Sequence, residues 1–216
     1  MFRILFILIN LSLLSACAVK VQDKTIYTLS DTLYQNHQDN YKRETIVISM
    51  PTANVGYETK NMLYTKKPYE IKAFSKHQWA GPPAKMLHPL LIQHLSKTGY
   101  FQATATPPLT AFTHKVLKAH LLEFRQDFTS NPSCIRITIR ADIVDKGKDK
   151  IIASELFTID MPTTSNTPYA GVIASNKATR ILLDQIARYC VEHLITHPIL
   201  LPPPNRAVHL ELKGEI

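Results

Sequence analysis

Nine histidines, seventeen carboxylates and three cysteines are the residues of this 216-residue chain with chemistry to offer. His193 and His197 stand at i and i+4 and share a helix face, and His114 and His120 can share a strand face. Two histidines on one helix turn hold a metal only with a third ligand, and the sequence places none nearby. Asp142 and Asp145 lie three apart across a strand and a turn, where they do not face each other, and Asp160 sits two residues before Pro162. None makes an acid/base pair at workable spacing. There is no G-x-S-x-G elbow, no Walker loop, no H-E-x-x-H and no C-x-x-C. The expectation is a binding or structural component: no enzyme, no metal, no cofactor.

Cys17 is different. One cation, Arg3, precedes the apolar stretch Ile4 to Leu14, the layout of an export signal. A permanent span needs about 20 apolar residues; this stretch is shorter and interrupted by Asn10. It ends Leu14-Ser15-Ala16-Cys17, which resembles a bacterial lipobox. In that motif small residues admit the peptidase and the cysteine becomes the new N-terminus. Its thiolate takes a diacylglycerol group, and several acyl chains anchor stably where one does not. The resemblance makes Cys17 a lipid anchor, residues 1–16 a signal and residues 17–23 a lipidated tether. Ala18, not Asp, follows the cysteine, which points to the outer membrane and its periplasmic face.

An apolar fraction of 45% and a charged fraction of 19% exclude a disordered chain. The length fits one domain. With 25 Lys+Arg against 17 Asp+Glu the chain is basic, suited to anionic headgroups or an acidic partner. Nucleic acid is not expected in the periplasm. That compartment permits a Cys134–Cys190 disulfide, but both cysteines sit in apolar patterns and equally suit packing as free thiols.

These residues need elements to hold them. Thr25 to Leu29 alternates and reads as a strand; Ser30 to Arg43 is polar and reads as a loop. Thr45 to Met50, stopped by Pro51, is a buried strand, and Asn61–Tyr64 and Tyr69–Phe74 are short strands. Leu87, Leu91 and Leu95 mark one face of a helix from about Pro83 to Thr98. Gly99 can cap it in a left-handed conformation, and Pro89 inside it predicts a kink or a late start. Lys115–Phe128, Ile135–Ile143 and Ile151–Met161 read as an antiparallel meander. Asp145 to Asp149 forms its second turn, around Gly147. Ala174, Ala178, Leu182, Ile186, Cys190 and Leu194 mark a helix from Thr167-Pro168 to about His197. Grouped strands argue for an α+β domain over 24–197: a mainly antiparallel sheet with two helices packed on one face. Residues 198–216 form a Pro-rich tail, whose Val208-Leu210-Leu212 alternation suits either a strand added to a partner or solvent.

Tyr27-Thr28-Leu29, Ile46 to Pro51, Met62-Leu63-Tyr64 and above all Gln78-Trp79-Ala80-Gly81-Pro82-Pro83-Ala84-Lys85-Met86-Leu87 resemble the ABC-type transport auxiliary lipoprotein family. The family includes the lipoprotein of the paraquat-inducible lipid-transport system. The likeness runs from about Lys24 to Leu194. Gln78 departs from the basic residue usual before the tryptophan, and Pro89 interrupts a helix expected to run smoothly. The resemblance implies a periplasm-facing, outer-membrane subunit of an intermembrane lipid-transport system. Its partner would be a mammalian-cell-entry-type protein and, through it, an ABC permease and ATPase; self-association is a further candidate. Trp79, Pro82 and Pro83 are the candidate partner-binding residues. Trp79 has two roles open to it, capping the core or anchoring a partner. A different reading of the same anchor and β-rich body is a structural lipoprotein of a secretion or envelope-spanning machine.

Overall fold

The computed structural model describes residues 23–30, 44–107 and 113–194. The Cys17 anchor, the signal, the 31–43 loop, the last turn expected for the second helix and the Pro-rich tail lie outside them. The strands are β1 (Thr25–Tyr27), β2 (Glu44–Ile48), β3 (Thr52–Ala53), β4 (Asn61–Thr65), β5 (Lys72–Trp79), β6 (Phe101–Ala105), β7 (Lys115–Asp127), β8 (Cys134–Asp145) and β9 (Lys150–Pro162). The helices are α1 (Pro83–Lys97) and α2 (Pro168–Leu194).

The expected meander is present. β7, β8 and β9 pair antiparallel along nearly their whole length. Ile135, Ile137, Ile139, Ala141 and Ile143 of β8 point inward and are buried, as strict alternation over a half-buried strand requires. The rest of the sheet corrects the expectation. β7's other edge is shared end to end by three short strands, all parallel to it: β2 at its start, β3 at its middle and β4 at its end. β1 and β5 are also parallel, as are β2 and β6. The nine-stranded sheet is therefore mixed, not mainly antiparallel. The physical cause is the segment 44–65. It runs along β7 in one direction, with Ser49 N–H bonded to Leu117 O at 3.0 Å and Asn54 N–H to Leu121 O at 2.8 Å. A turn over Asn54 to Lys60 separates β3 from β4 within it.

A bulge explains why β7 does not alternate cleanly in sequence. The register shifts between Leu121 and Glu123. Before it Leu117, Ala119 and Leu121 face inward; after it Phe124 and Gln126 do. One extra residue exchanges the faces of everything beyond it.

Both helices share one core with the inner face of the sheet. The outer face carries Lys118, His120, Arg136, Thr138 and Arg140. α1 starts at Pro83, with Pro82 as its N-terminal flank, and runs through Pro89. Pro89 withdraws the hydrogen bond to the Lys85 carbonyl, and both residues are exposed, so that carbonyl meets water. Gly99 ends the helix at φ 74°, the left-handed cap expected. The β8–β9 turn uses its glycine differently. Its left-handed residue is Asp149, φ 46°, whereas Gly147 leaves room for the His114 ring, which a Cβ there would approach to 2.9 Å.

Candidate functional site

The β5–α1 junction holds the residues singled out in the sequence. Trp79 closes β5 and turns inward, 4% exposed, its ring stacked on Phe124 at 5.4 Å. Its N–H donates to Lys60 O at 2.8 Å, and the next N–H, Ala80, donates to Tyr27 O at 2.7 Å. These bonds tie β5 to its neighbours on both sides. Pro82 follows in extended conformation, φ −54° and ψ 133°, without a side-chain cap. Its carbonyl accepts the Lys85 and Met86 N–H groups at 3.0 and 3.1 Å. Pro83 occupies the first helical turn, where a missing N–H costs nothing. Pro83 is buried and Pro82 partly exposed. In the isolated chain the indole caps the core, and the surface of the junction consists of Ala80, Gly81, Pro82, Lys85 and Met86.

Beside the junction a run of rings crosses β1, β5, β4 and the end of β7. Tyr169 meets Tyr27 at 6.0 Å, Tyr27 stacks on His77 at 5.8 Å, and His77 meets Phe74 edge-on at 6.1 Å. Phe74 in turn meets Tyr64 at 4.4 Å, and Tyr64 meets Phe128 edge-on at 5.9 Å. Tyr169 is exposed and the others are half-buried. Partly exposed rings of this kind supply large contact area at low entropic cost.

The contacts of two buried polar side chains escaped the sequence. His94 of α1 is 1% exposed and pairs through Nε2 with Asp184 Oδ1 of α2 at 2.9 Å. The signal was there: His94 stands seven after Leu87, on the apolar face. Gln126 of β7 donates from Nε2 to Ser133 Oγ at 2.9 Å and to Thr167 O at 3.2 Å. Ser133 in turn bonds Thr163. This network closes one end of the sheet on the start of α2. Gln126 faces inward only because of the bulge, so its sequence position concealed it. A cleft between Gln126, Gly171, Ser175 and Trp79 has room for about one water molecule and not for an acyl chain.

Cys134 and Cys190 are free. Burial pushes the Cys190 thiol up to about 12 and raises that of Cys134, so both stay protonated at neutral pH and are poor nucleophiles. His193 donates within its own helix, Nδ1–H to Tyr189 O at 2.9 Å. His120 lies on the outer sheet face between Thr52 and Asn54. Among the described residues no group of three metal-ligating side chains converges, and no helix is long and apolar enough to cross a membrane.

The fold has relatives among solved structures. A Xanthomonas campestris protein of the DUF330 family superposes with TM-score 0.69 at 17% identity, covering 78% of this chain and 96% of its own. An uncharacterised protein superposes with TM-score 0.63 at 14% identity, covering 78% and 99%. These likenesses concern the fold. No curated protein matches in sequence. The family model of the ABC-type transport auxiliary lipoprotein component matches residues 27–187, a stretch that begins in β1, includes the junction and the bulged β7, and ends in α2. The chain belongs to that family.

Proposed function

We propose that this chain is an outer-membrane lipoprotein, acylated at Cys17 and facing the periplasm. It serves as a non-catalytic auxiliary subunit of an ABC-type lipid-transport system and docks a mammalian-cell-entry-type protein. The observation that carries this reading is the family match across residues 27–187. The family's description as an auxiliary component supports a holding role, and Ala18 in place of Asp supports the outer membrane. Docking falls on the junction: Pro82 makes contact while Trp79 and Pro83 fix its position from behind. Protonated thiols, Cys190 buried and Cys134 partly so, and a cleft of about one water's size suit a body that holds a partner and does not itself process a ligand.

Crosslinking in intact cells followed by mass spectrometry tests the partner. Recovery of a mammalian-cell-entry-type protein is expected; recovery of secretion-core proteins in its place overturns the assignment. Labelled palmitate must enter the wild type and not Cys17→Ser.

A further inference from the structure

The β4–β5 hairpin presents an apolar, cationic tip on which no other described residue covers Tyr69. Between Lys66 and Lys76 the sequence is Lys66-Lys67-Pro68-Tyr69-Glu70-Ile71-Lys72-Ala73-Phe74-Ser75-Lys76, four lysines against the single carboxylate of Glu70. Tyr69 is fully exposed and Ile71 is 52% exposed. Tyr69 holds a left-handed backbone, φ 65°, uncommon for a residue with a side chain. The tip is braced in this shape. Thr65 Oγ1 donates to Lys67 O at 2.7 Å and Glu70 N–H to Lys67 O at 3.3 Å. Lys72 pairs with Glu70 at 2.7 Å, and the Lys66 ammonium lies 5.9 Å from the centre of the Tyr64 ring. The conformation that drives Tyr69 outward is thus fixed before any contact is made.

The topology gives this tip a direction. β1 runs parallel to β5, with Thr25 opposite His77 and Tyr27 opposite Trp79. The chain therefore enters β1 from the end of the sheet where β5 begins, which is the hairpin end. From His77 back to Lys72 is about 17 Å of strand. The eight residues from Cys17 to Thr25 reach at most about 28 Å. An acyl group on Cys17 and the tip of the hairpin can therefore meet the same bilayer surface.

We propose that the β4–β5 hairpin tip is a lipid-contact element that seats Tyr69 and Ile71 in the headgroup layer of an anionic leaflet, with Lys66, Lys67 and Lys72 against the phosphates. Tyrosine favours this depth because one end of its ring is apolar and the other wet. Lysines extend to it with their stems in the apolar layer and their ammonium groups in water. The contact fixes the orientation of the body on the membrane, which an acyl chain alone leaves free. This inference rests on the reading of Cys17 as the anchor, through the shared end of the sheet.

The test uses the mature lipoprotein carrying Tyr69→Trp, reconstituted into vesicles with bromine-labelled acyl chains. Trp79, packed on Phe124, supplies a fixed background. In phosphatidylglycerol–phosphatidylethanolamine vesicles, quenching at position 69 is expected to exceed that in phosphatidylcholine vesicles at least twofold. Lys66→Glu with Lys67→Glu is expected to abolish the difference. A second chain with Leu156→Trp, on the open sheet face, is the control. Quenching at 69 no greater than at 156 overturns the proposal, including the case in which the tip binds a protein and stays clear of lipid. The mass of the Cys17 peptide from the same preparation separates the two readings. Acylated protein with an unquenched tip discards this inference alone; quenched tip on unacylated protein keeps it and discards the anchor.

Discussion

The two sides of β7 are built on opposite terms. On one side β8 and β9 are 12 and 13 residues long, antiparallel and joined by a tight turn. On the other, β2, β3 and β4 are five, two and five residues long, parallel to β7 and some 60 to 70 positions away in sequence. The first side is made of local pairs that each strand's own alternation specifies. The second is assembled from non-local pairs, and it carries the junction, the ring run and the basic hairpin. The surfaces proposed for docking and for lipid thus belong to the half whose pairing is least local. Rigid local structure supplies the frame, and the surface is hung on its far edge.

The bond between the halves is the place to break them. Trp79→Ala removes the ring that stacks from β5 onto Phe124 of β7, and should cost about 3–5 kcal/mol in denaturant unfolding. With wild-type protein, Trp79 emission should be blue-shifted and quencher-protected, and unmoved when partner is added. Next come the helix contacts. A Cβ at Gly171 would collide with Gln126 Oε1 and lie 2.8 Å from Cδ, so Gly171→Ala should lose about 1–3 kcal/mol by thermal melt. At Gly81 an added Cβ meets only Met86 Cγ at 3.8 Å, and Gly81→Ala should lie within about 0.5 kcal/mol of wild type. Equal losses at both glycines would mean that the Gln126 network is not what holds α2 to β7. Asp184→Ala should cost no more than about 1 kcal/mol, because the carboxylate it takes from the buried His94 ring is itself half-exposed.

Acid titration sharpens the comparison further. Lys115 donates to the Asp145 carboxylate at 2.7 Å and holds it below the usual range. Burial pushes Asp127 up, but the Thr129 hydroxyl and N–H and the nearby Arg125 outweigh it, and the net direction is down. A depressed carboxylate adds stability that is complete above its unfolded pKa, about 4, and is lost as pH falls through the folded value. Asp127 ends β7 and Asp145 ends β8, one at each turn of the meander. Stability should therefore hold from neutral pH down to about 5 and fall below 4, and Asp145→Asn should flatten part of that fall. The smallest effect is on the open face: Leu156→Ser, on a residue 58% exposed, should change unfolding by no more than about 0.5 kcal/mol.

The legible part of the fold was the part with a period. Ile135 to Ile143 gave β8 its inner face, Leu87-Leu91-Leu95 gave α1, and Ala174 to Leu194 gave most of α2. β6 is hard to read although Phe101 to Ala105 alternates, because after Phe101 its apolar positions are alanines, which are depleted in strands, and β3 is only a two-residue contact. β5 continues past Phe74 to Trp79, through the polar run Ser75 to Gln78, because it is paired by β1 and β4 and not because its own residues demand it. For the site, the types and order of Trp79, Pro82 and Pro83 were visible, whereas their exposure was not.

Sequence by itself determined the alternation that makes the meander, the two apolar helix faces, the proline and glycine that bound α1, and the membership of the family. Each is a local or linear property, set by side-chain type and spacing along one strand or helix. Tertiary structure alone decided that the sheet is mixed, that Trp79 turns inward, that Gln126 and His94 are buried with partners, and that the basic hairpin points to the end from which β1 is entered. Those depend on direction and register between segments tens of residues apart, and a one-residue bulge is enough to exchange which side of a strand meets the core.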